Sequence, residues 1–131
     1  FLMKKYWQAR VSFSFPRMRP AENVDEKLFR YMINDTQLVQ MMVALRLCFP
    51  DSEIVMSTRE SAGFRNNISR ICVTRMSAGS KTNPGGYGEK DESLEQFEVA
   101  DDRTPEQIAA MLKERNLEAV WKDWDTAFTG N

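Results

Sequence analysis

The sequence predicts an α/β fold with three to four parallel strands and flanking helices. Segments of alternating or β-branched apolar residues take turns with segments of helical periodicity, in the order strand, helix, strand, helix, strand, long loop, helix, strand. The connections are long enough to join parallel strands. Polar residues also occupy one face of the predicted strands, which suits the wet interior of a barrel better than a core face. Two architectures stay open at this point, a small open sheet and part of a closed barrel.

The first strand is predicted over residues 11–15. Val11, Phe13 and Phe15 alternate there with small serines, which is the period of a strand with one apolar and one polar face. Pro16 follows and has no amide hydrogen to donate to a ladder. The strand should therefore end at this proline.

The most clearly defined helix is predicted over residues 35–48. Leu38 and Met42 recur there at helical spacing, and Asn34 or Asp35 can cap the amino terminus. This helix would form the connection between the first two strands.

The same cycle then repeats along the chain. Residues 53–60 are a β-branched run, and Ser61 can cap a short helix after it. The segment 72–78 predicts a third strand. A long loop over residues 81–103 follows.

The last predicted helix has a strong start signal. Thr104 is placed as the N-cap, Pro105 as the first helical residue, and Gln107 closes a capping box. Asn116 can end this helix, and residues 117–125 are interpreted as a final strand or an extended tail.

Length and charge limit the possible functions. The 131 residues suffice for a single domain over 1–131, and 18 basic against 19 acidic side chains give a net charge of -1. No attraction to nucleic acid or to an anionic membrane follows from this balance. No apolar run reaches the roughly 18 residues of a membrane span. We expect a cytoplasmic chain, cut from a longer polypeptide because it starts at Phe1 shortly before a strand.

Cysteine and histidine usage excludes several kinds of catalytic site. Cys48 and Cys72 stand far apart beside apolar residues, so we expect reduced core thiols. The lack of histidine excludes a histidine-based triad and a histidine-ligated zinc. Two isolated cysteines cannot hold an iron–sulfur cluster. Any catalysis that involves this chain therefore needs a reactive group that is supplied from outside the chain.

Candidate ligand residues lie at the predicted carboxyl ends of the strands, where α/β folds bind their ligands. These ends are Pro16–Arg19, Thr58–Glu60 and Ser77–Ser80. Arg59 suits a carboxylate because its planar fork can donate two parallel hydrogen bonds. The alternative is an ion pair with Glu60 or another acid at the rim.

Two further arginines, Arg17 and Arg19, belong to the rigid turn after the first strand. They are either contacts for an anion or solvated side chains. No pattern in the sequence decides between these alternatives.

The segment 77–90 contains the sequence GSKT, which resembles the end of a phosphate-binding loop. Ser80 stands where the glycine before the lysine is required, and a proline–glycine turn begins at Pro84 where a helix would have to start. We therefore reject a phosphate loop. The segment is either a flexible connection or the rim of an active site.

Several motifs together resemble the carboxyl-terminal part of the 2-iminoacetate synthase family, the radical-SAM tyrosine lyases of thiamine thiazole biosynthesis. They are YWQARVSFSFPRMRP, QLVQMMVALRL, IVMSTRESAGFRN, SAGSKTNPGGY, LEQFEVADDRTPEQIAAML and AVWKDWD. The tyrosine lyases that mature the iron-only hydrogenase cofactor share STRES, SAGS and PGGY, but the ending VWKDWD is similar to the thiamine family. The region also resembles the domain shared among biotin- and thiamine-synthesis radical enzymes.

This resemblance implies a (βα)8 barrel of which the chain supplies the last strands. The family uses a 4Fe-4S cluster on a CxxxCxxC motif, together with S-adenosylmethionine, to cleave tyrosine to 2-iminoacetate and p-cresol. No such motif occurs in this sequence, so the fragment alone should hold neither cofactor and be inactive. The implied partners are tyrosine, the missing amino-terminal half of the barrel and the thiazole synthase of the pathway.

By position, Arg59 is similar to the arginine that grips the substrate carboxylate, and Ser77 to a hydroxyl near the amino-acid head group. Ser80, Arg17 and Arg19 would line the same cavity. A cut sheet also exposes strand edges, which predicts self-association of the fragment. The alternative from another class of function is a non-catalytic module that binds an anion or assembles with a partner.

Overall fold

The computed structural model describes residues 1–17, 31–81 and 99–121. Within these ranges three parallel strands stand in the order β1-β2-β3. The elements in chain order are α1 (Leu2–Lys5), β1 (Ser12–Ser14), α2 (Asp35–Cys48), β2 (Glu53–Met56), α3 (Ala62–Ile68), β3 (Arg75–Met76) and α4 (Pro105–Glu114). The predicted α/β class with parallel strands and flanking helices is confirmed.

The register of the strands separates an apolar face of the sheet from a more polar one. Phe13 lies beside Ile54 and Ser14 beside Val55, which in turn lies beside Arg75. Because side chains alternate along a strand, Ser14, Val55 and Arg75 share one face. Phe13 and Ile54 share the other, as the alternation in the sequence predicted.

The hydrophobic core fills the apolar face of the sheet. Its buried members come from α2, β2, α3 and the segment after α3: Leu38, Met42, Ile54, Met56, Ile68 and Cys72. Phe13 and Phe15 pack against this cluster. Since α2 and α3 cover the apolar face, the face with Ser14 and Val55 is not covered by these two helices.

Two helices begin at capping boxes, α2 at Asn34, one of its two predicted caps, and α4 at its predicted box. The Asn34 side chain accepts from the Gln37 amide at 2.9 Å, and the Gln37 side chain accepts from the Asn34 amide at 3.0 Å. Thr104 and Gln107 form the same reciprocal pair before α4, with Pro105 as its first residue. Each box satisfies two amides that have no partner within the helix.

β3 is shorter than the strand predicted over residues 72–78. The Thr74 hydroxyl accepts from the Ile54 amide at 2.8 Å and so takes the place of a backbone carbonyl. Regular pairing therefore begins only at Arg75.

The prediction that both cysteines are core thiols is wrong for Cys48. This residue shares the exposed side of α2 with Met41, whereas Cys72 is buried, and burial raises the pKa of its thiol. Both are free thiols, as expected.

Other expectations differ at the two ends. The helix α1 was not predicted, and residues 117–121 form no strand. Asn116 lies one residue beyond the C-cap of α4, in the left-handed region with φ 57°. Residues 122–125 of the predicted final strand and 82–98 of the predicted loop lie outside the described residues. Across the described ranges, every helix is too short or too polar to cross a membrane.

Candidate functional site

The predicted ligand residues that the structure describes lie beyond the carboxyl ends of the three strands. Arg17 follows β1, Arg59 follows β2, and Ser77 with Ser80 follows β3. In a parallel sheet these ends share one edge, so the topology places the four residues on the same side of the molecule. Arg19 lies outside the described residues.

The chain around Arg59 continues the alternation of β2. Thr58 and Glu60 are buried, whereas Ser57 and Arg59 are half-buried. The Arg59 amide donates to the Ser57 hydroxyl at 3.3 Å, which helps to hold the backbone just beyond the strand. Ser57 comes directly after β2 on the side of Val55, and Arg59 lies in the turn that follows, where the Glu60 amide donates to the Ser57 carbonyl at 3.5 Å.

Ser77 continues β3 in the same sense. Its amide donates to the Met56 carbonyl at 3.0 Å, which extends the ladder between β2 and β3 by one bond. Its position two residues after Arg75 places it on the face of the sheet that carries Val55 and Arg75. Arg59 and Ser77 therefore follow neighbouring strands at the same edge of the sheet.

Arg17 is engaged by acidic side chains. Its Nε lies 3.0 Å from Glu60 Oε1, and its Nη2 donates to Glu60 Oε2. Nη1 lies 2.8 Å from Asp35 Oδ1, and the guanidinium stands over the Phe64 ring, 5.2 Å from its centroid. The hydrogen bonds with Glu60 raise the pKa of Arg17 despite its burial. Glu60, which the sequence suggested as a partner for Arg59, thus forms an ion pair with Arg17.

A second cluster of buried charge lies behind the ends of β2 and β3. The Arg65 side chain is fully buried in α3 and donates to the Asp101 carboxylate and to the Ser77 carbonyl. Arg103 Nε and Nη2 donate to the same carboxylate at 2.8 and 2.6 Å. Burial alone would raise the pKa of Asp101, but the hydrogen bonds from Arg103 and the charge of Arg65 lower it to about 2.

The end of the predicted loop 81–103 returns to the strand ends. The Thr58 carbonyl accepts from the amides of Ala100 and Asp101 at 3.0 and 3.1 Å, and the Gly79 amide donates to the Arg103 carbonyl at 3.0 Å. Residues 100–103 therefore bridge the chain after β2 and the chain after β3.

The sequence analysis missed this bridge. One signal was available, since Arg65 lies three residues before Ile68 on the buried side of α3, where an arginine needs a partner. That partner, Asp101, is 36 positions away, and nothing in the local pattern points to it.

Gly79 has a backbone role in the same region. Its φ of 60° lies in the left-handed region, which residues other than glycine rarely adopt. The turn that it makes brings its amide to Arg103.

A groove of about 390 Å³ lies elsewhere, between β3 and α4. Its lining includes Val73, Met76, Ile108, Leu112 and Trp121, but neither Arg59 nor Ser77. It reaches Ala78 of the segment Ser77–Ser80 but is lined by none of the predicted ligand residues that the structure describes.

The described residues do not fit an iron–sulfur cluster. Cys48 is exposed at the end of α2 and Cys72 is buried in the core. No group of three metal-binding side chains occurs in the described ranges, and the sequence holds no other cysteine and no histidine. A cluster would need ligands from another polypeptide segment.

Comparison with known proteins places the chain in a family. Residues 14–118 match the Biotin and Thiamin Synthesis associated domain. The chain belongs to this domain family. The match begins at Ser14, the last residue of β1, extends beyond α4 and includes both Arg65 and Asp101.

Two longer proteins are similar to this chain over nearly its whole length. The 2-iminoacetate synthases of Escherichia coli (strain K12) and Salmonella typhimurium (strain LT2) are 45% and 44% identical over 126 residues. The alignments cover 96% of this chain and 33% of each relative. The chain thus spans about a third of the length of these relatives, and the resemblance to 2-iminoacetate synthases is confirmed.

Two solved structures are also similar to this chain. A crystal structure of HydG, a maturase of the FeFe-hydrogenase, matches 96% of this chain with a TM-score of 0.79 and 33% identity. HydG from Carboxydothermus hydrogenoformans matches 88% with a TM-score of 0.69 and 30% identity. Both alignments cover 26% of the HydG chain. The predicted fold class, a parallel α/β portion of a radical-SAM barrel, is confirmed.

Proposed function

We propose that this chain is the carboxyl-terminal segment of a radical-SAM lyase that cleaves the Cα–Cβ bond of tyrosine to 2-iminoacetate and p-cresol for thiamine thiazole biosynthesis. The identity of 45% over 126 residues to a 2-iminoacetate synthase carries this proposal. The related function in hydrogenase maturation has weaker support, because the HydG structures are 33% and 30% identical.

In this proposal the chain binds and orients the amino acid. Arg59 pairs with the tyrosine carboxylate, and the Ser77 hydroxyl meets the amino-acid head group. Both follow neighbouring strands at the same edge of the sheet, which supports their assignment to one cavity. Holding the substrate by its carboxylate would fix the reacting bond relative to the rest of the enzyme.

Ser80, Arg17 and Arg19 are proposed to line the same cavity. Arg17 would act there through its pair with Glu60, since its side chain is only 8% exposed. Its guanidinium would keep both carboxylate partners, Glu60 and Asp35, in this role.

The cofactors are assigned to the remainder of the longer protein. A 4Fe-4S cluster and S-adenosylmethionine would be held outside this chain, because its cysteines do not fit a cluster. The 131-residue chain by itself is therefore expected to be inactive. We further propose that the full-length enzyme is cytoplasmic and that the thiazole synthase of the pathway uses its product.

Sequencing the gene upstream of Phe1 is the first test of this proposal. A CxxxCxxC motif is expected there. Its absence would favour a stand-alone anion-binding or assembly module, the alternative from another class of function. The full-length gene product should also release p-cresol from tyrosine, and a protein that carries the motif but makes no p-cresol would contradict the proposal.

The role of Arg59 can be tested in the same protein. Arg59→Ala should weaken tyrosine binding by about 10- to 100-fold, the loss of one charge-assisted pair. Binding of tyramine, which lacks the carboxylate, should be unchanged, as should the absorbance of the cluster. The exposed Arg70 offers a control, and Arg70→Ala should leave both affinities unchanged. Unchanged tyrosine affinity in Arg59→Ala would remove Arg59 from the site.

Self-association of the isolated chain is a separate proposal. Among the described residues, no strand pairs with the outer edges of β1 and β3, and open edges recruit further strands. Light scattering of the 131-residue chain should show a mass that grows with concentration. A constant monomeric mass would contradict this proposal.

A further inference from the structure

Arg65, Asp101 and Arg103 form a largely buried cluster of charged side chains. Arg65 and Asp101 have side chains that are 0% and 1% exposed, and burying charge is costly unless every group is well paired. Arg65 Nη1 donates to Asp101 and Nη2 to the Ser77 carbonyl, while its Nε has no partner among the described residues. A fully buried arginine with two such different partners acts as a rigid link between them.

The cluster holds three backbone atoms, and each lies at or beside a residue of the proposed ligand site. The Ser77 carbonyl accepts from Arg65. The Thr58 carbonyl, next to Arg59, accepts from the Asp101 amide. The end of β3 is therefore bound by the Arg65 side chain, and the end of β2 by the backbone of its partner Asp101.

The third atom is the amide of Gly79, which precedes Ser80. It donates to the carbonyl of Arg103, whose guanidinium is bound to Asp101. The three contacts together span the two chain segments that carry Arg59, Ser77 and Ser80.

The opposite edge of the sheet has a comparable arginine. Arg46 donates to the carbonyls of Pro50, Ser52 and Cys72 at 2.6 to 2.9 Å. It thus joins the chain before β2 to the chain before β3. It provides a matched comparison, because it has similar chemistry and lies far from the proposed ligand site.

We propose that Arg65 and Asp101 are positioning residues that set the spacing between Arg59 and Ser77, and so the fit of the site to an α-amino acid carboxylate. This inference rests on the proposed function. Arg65 has no exposed surface, so it acts on the ligand through the backbone rather than by contact. A guanidinium can serve two partners in fixed directions, whereas a lysine ammonium is a single point of charge.

The test compares Arg65→Lys and Arg46→Lys in the full-length gene product. Each variant keeps the charge and loses the fork. The dissociation constants of tyrosine and tyramine are measured for both, together with the thermal midpoint. Hydrogen exchange is measured at the amides of Gly79 and Ala100, at the carboxyl edge, and of Ile54 and Thr74, near the amino edge.

Arg65→Lys should weaken tyrosine by about tenfold, the effect of losing roughly one charge-assisted hydrogen bond, and should leave tyramine nearly unchanged. Protection should fall at Gly79 and Ala100 first. Arg46→Lys should lower the thermal midpoint and the protection of Ile54 and Thr74, but keep the preference for tyrosine over tyramine. This contrast separates positioning from a general loss of stability.

Two results would overturn the inference. One is an equal weakening of tyrosine and tyramine by Arg65→Lys, and the other is the same loss of preference in Arg46→Lys. If the wild-type protein binds no tyrosine, the proposed function is wrong. Hydrogen exchange then tests by itself whether Arg65 and Asp101 link the ends of β2 and β3. Selective loss of protection at Gly79 and Ala100 then supports the link, and an even loss across the sheet refutes it.

Discussion

The guanidinium of Arg17 holds both carboxylate oxygens of Glu60, although the two residues are 43 positions apart. Their side chains are 8% and 2% exposed, so the pair is largely shielded from water. The same guanidinium contacts Asp35, whose side chain is 67% exposed. One arginine therefore makes a buried and an exposed ion pair side by side.

Glu60→Gln should destabilise the chain by about 3 kcal/mol, because it leaves a largely buried cation without its main partner. Asp35→Asn, the matched control, should cost less than about 1 kcal/mol, since water screens an exposed pair. Urea unfolding of the two variants measures this difference. Equal losses would show that burial does not decide the strength of these contacts.

The pKa of Asp101 predicts a loss of stability in acid. It falls from 3.8 to about 2 in the folded chain, so the unfolded state takes up the proton first as the pH decreases. The stabilisation is present in full above pH 3.8 and is lost as the pH falls toward 2. The shift corresponds to about 2 kcal/mol.

Urea midpoints between pH 6 and pH 2.5 measure this effect. Asp101→Asn should be less stable at pH 6 and should lose less stability on acidification than the wild type. A parallel decline of the two proteins would assign the acid sensitivity to other carboxylates.

Two glycines should respond in opposite directions to alanine. Gly79 has φ 60°, so Gly79→Ala should cost about 1 kcal/mol of stability. Gly63 lies inside α3, and a Cβ built there meets nothing within 4 Å, so Gly63→Ala should gain about 0.5 to 1 kcal/mol. Thermal unfolding of both variants gives the signs, and a stabilising Gly79→Ala would contradict the assigned backbone role.

Local elements were predictable because their determinants lie within a few residues. The capping boxes at Asn34 and Thr104 need only a side chain and an amide three positions apart. The two faces of β1 follow from the alternation of Phe13 and Phe15 with serines. The candidate site at the strand ends follows from the order of elements alone.

The exposure of Cys48 and the short length of β3 could not be predicted in this way. Apolar neighbours suggested a buried Cys48, but only the packing of α2 decides which side of the helix faces the sheet. The Thr74 hydroxyl replaces a backbone acceptor in the ladder, and that substitution depends on how two strands approach each other.

The sequence by itself determined the class of fold, the amino-terminal caps of α2, α3 and α4, and the set of polar residues available at the carboxyl edge. Only the tertiary structure decided how the charges are paired. Glu60 pairs with Arg17, 43 positions away, and Arg65 pairs with Asp101, 36 positions away. The physical reason is that a charge pair forms where the crossover connections bring distant segments together out of water, and no local spacing encodes that meeting.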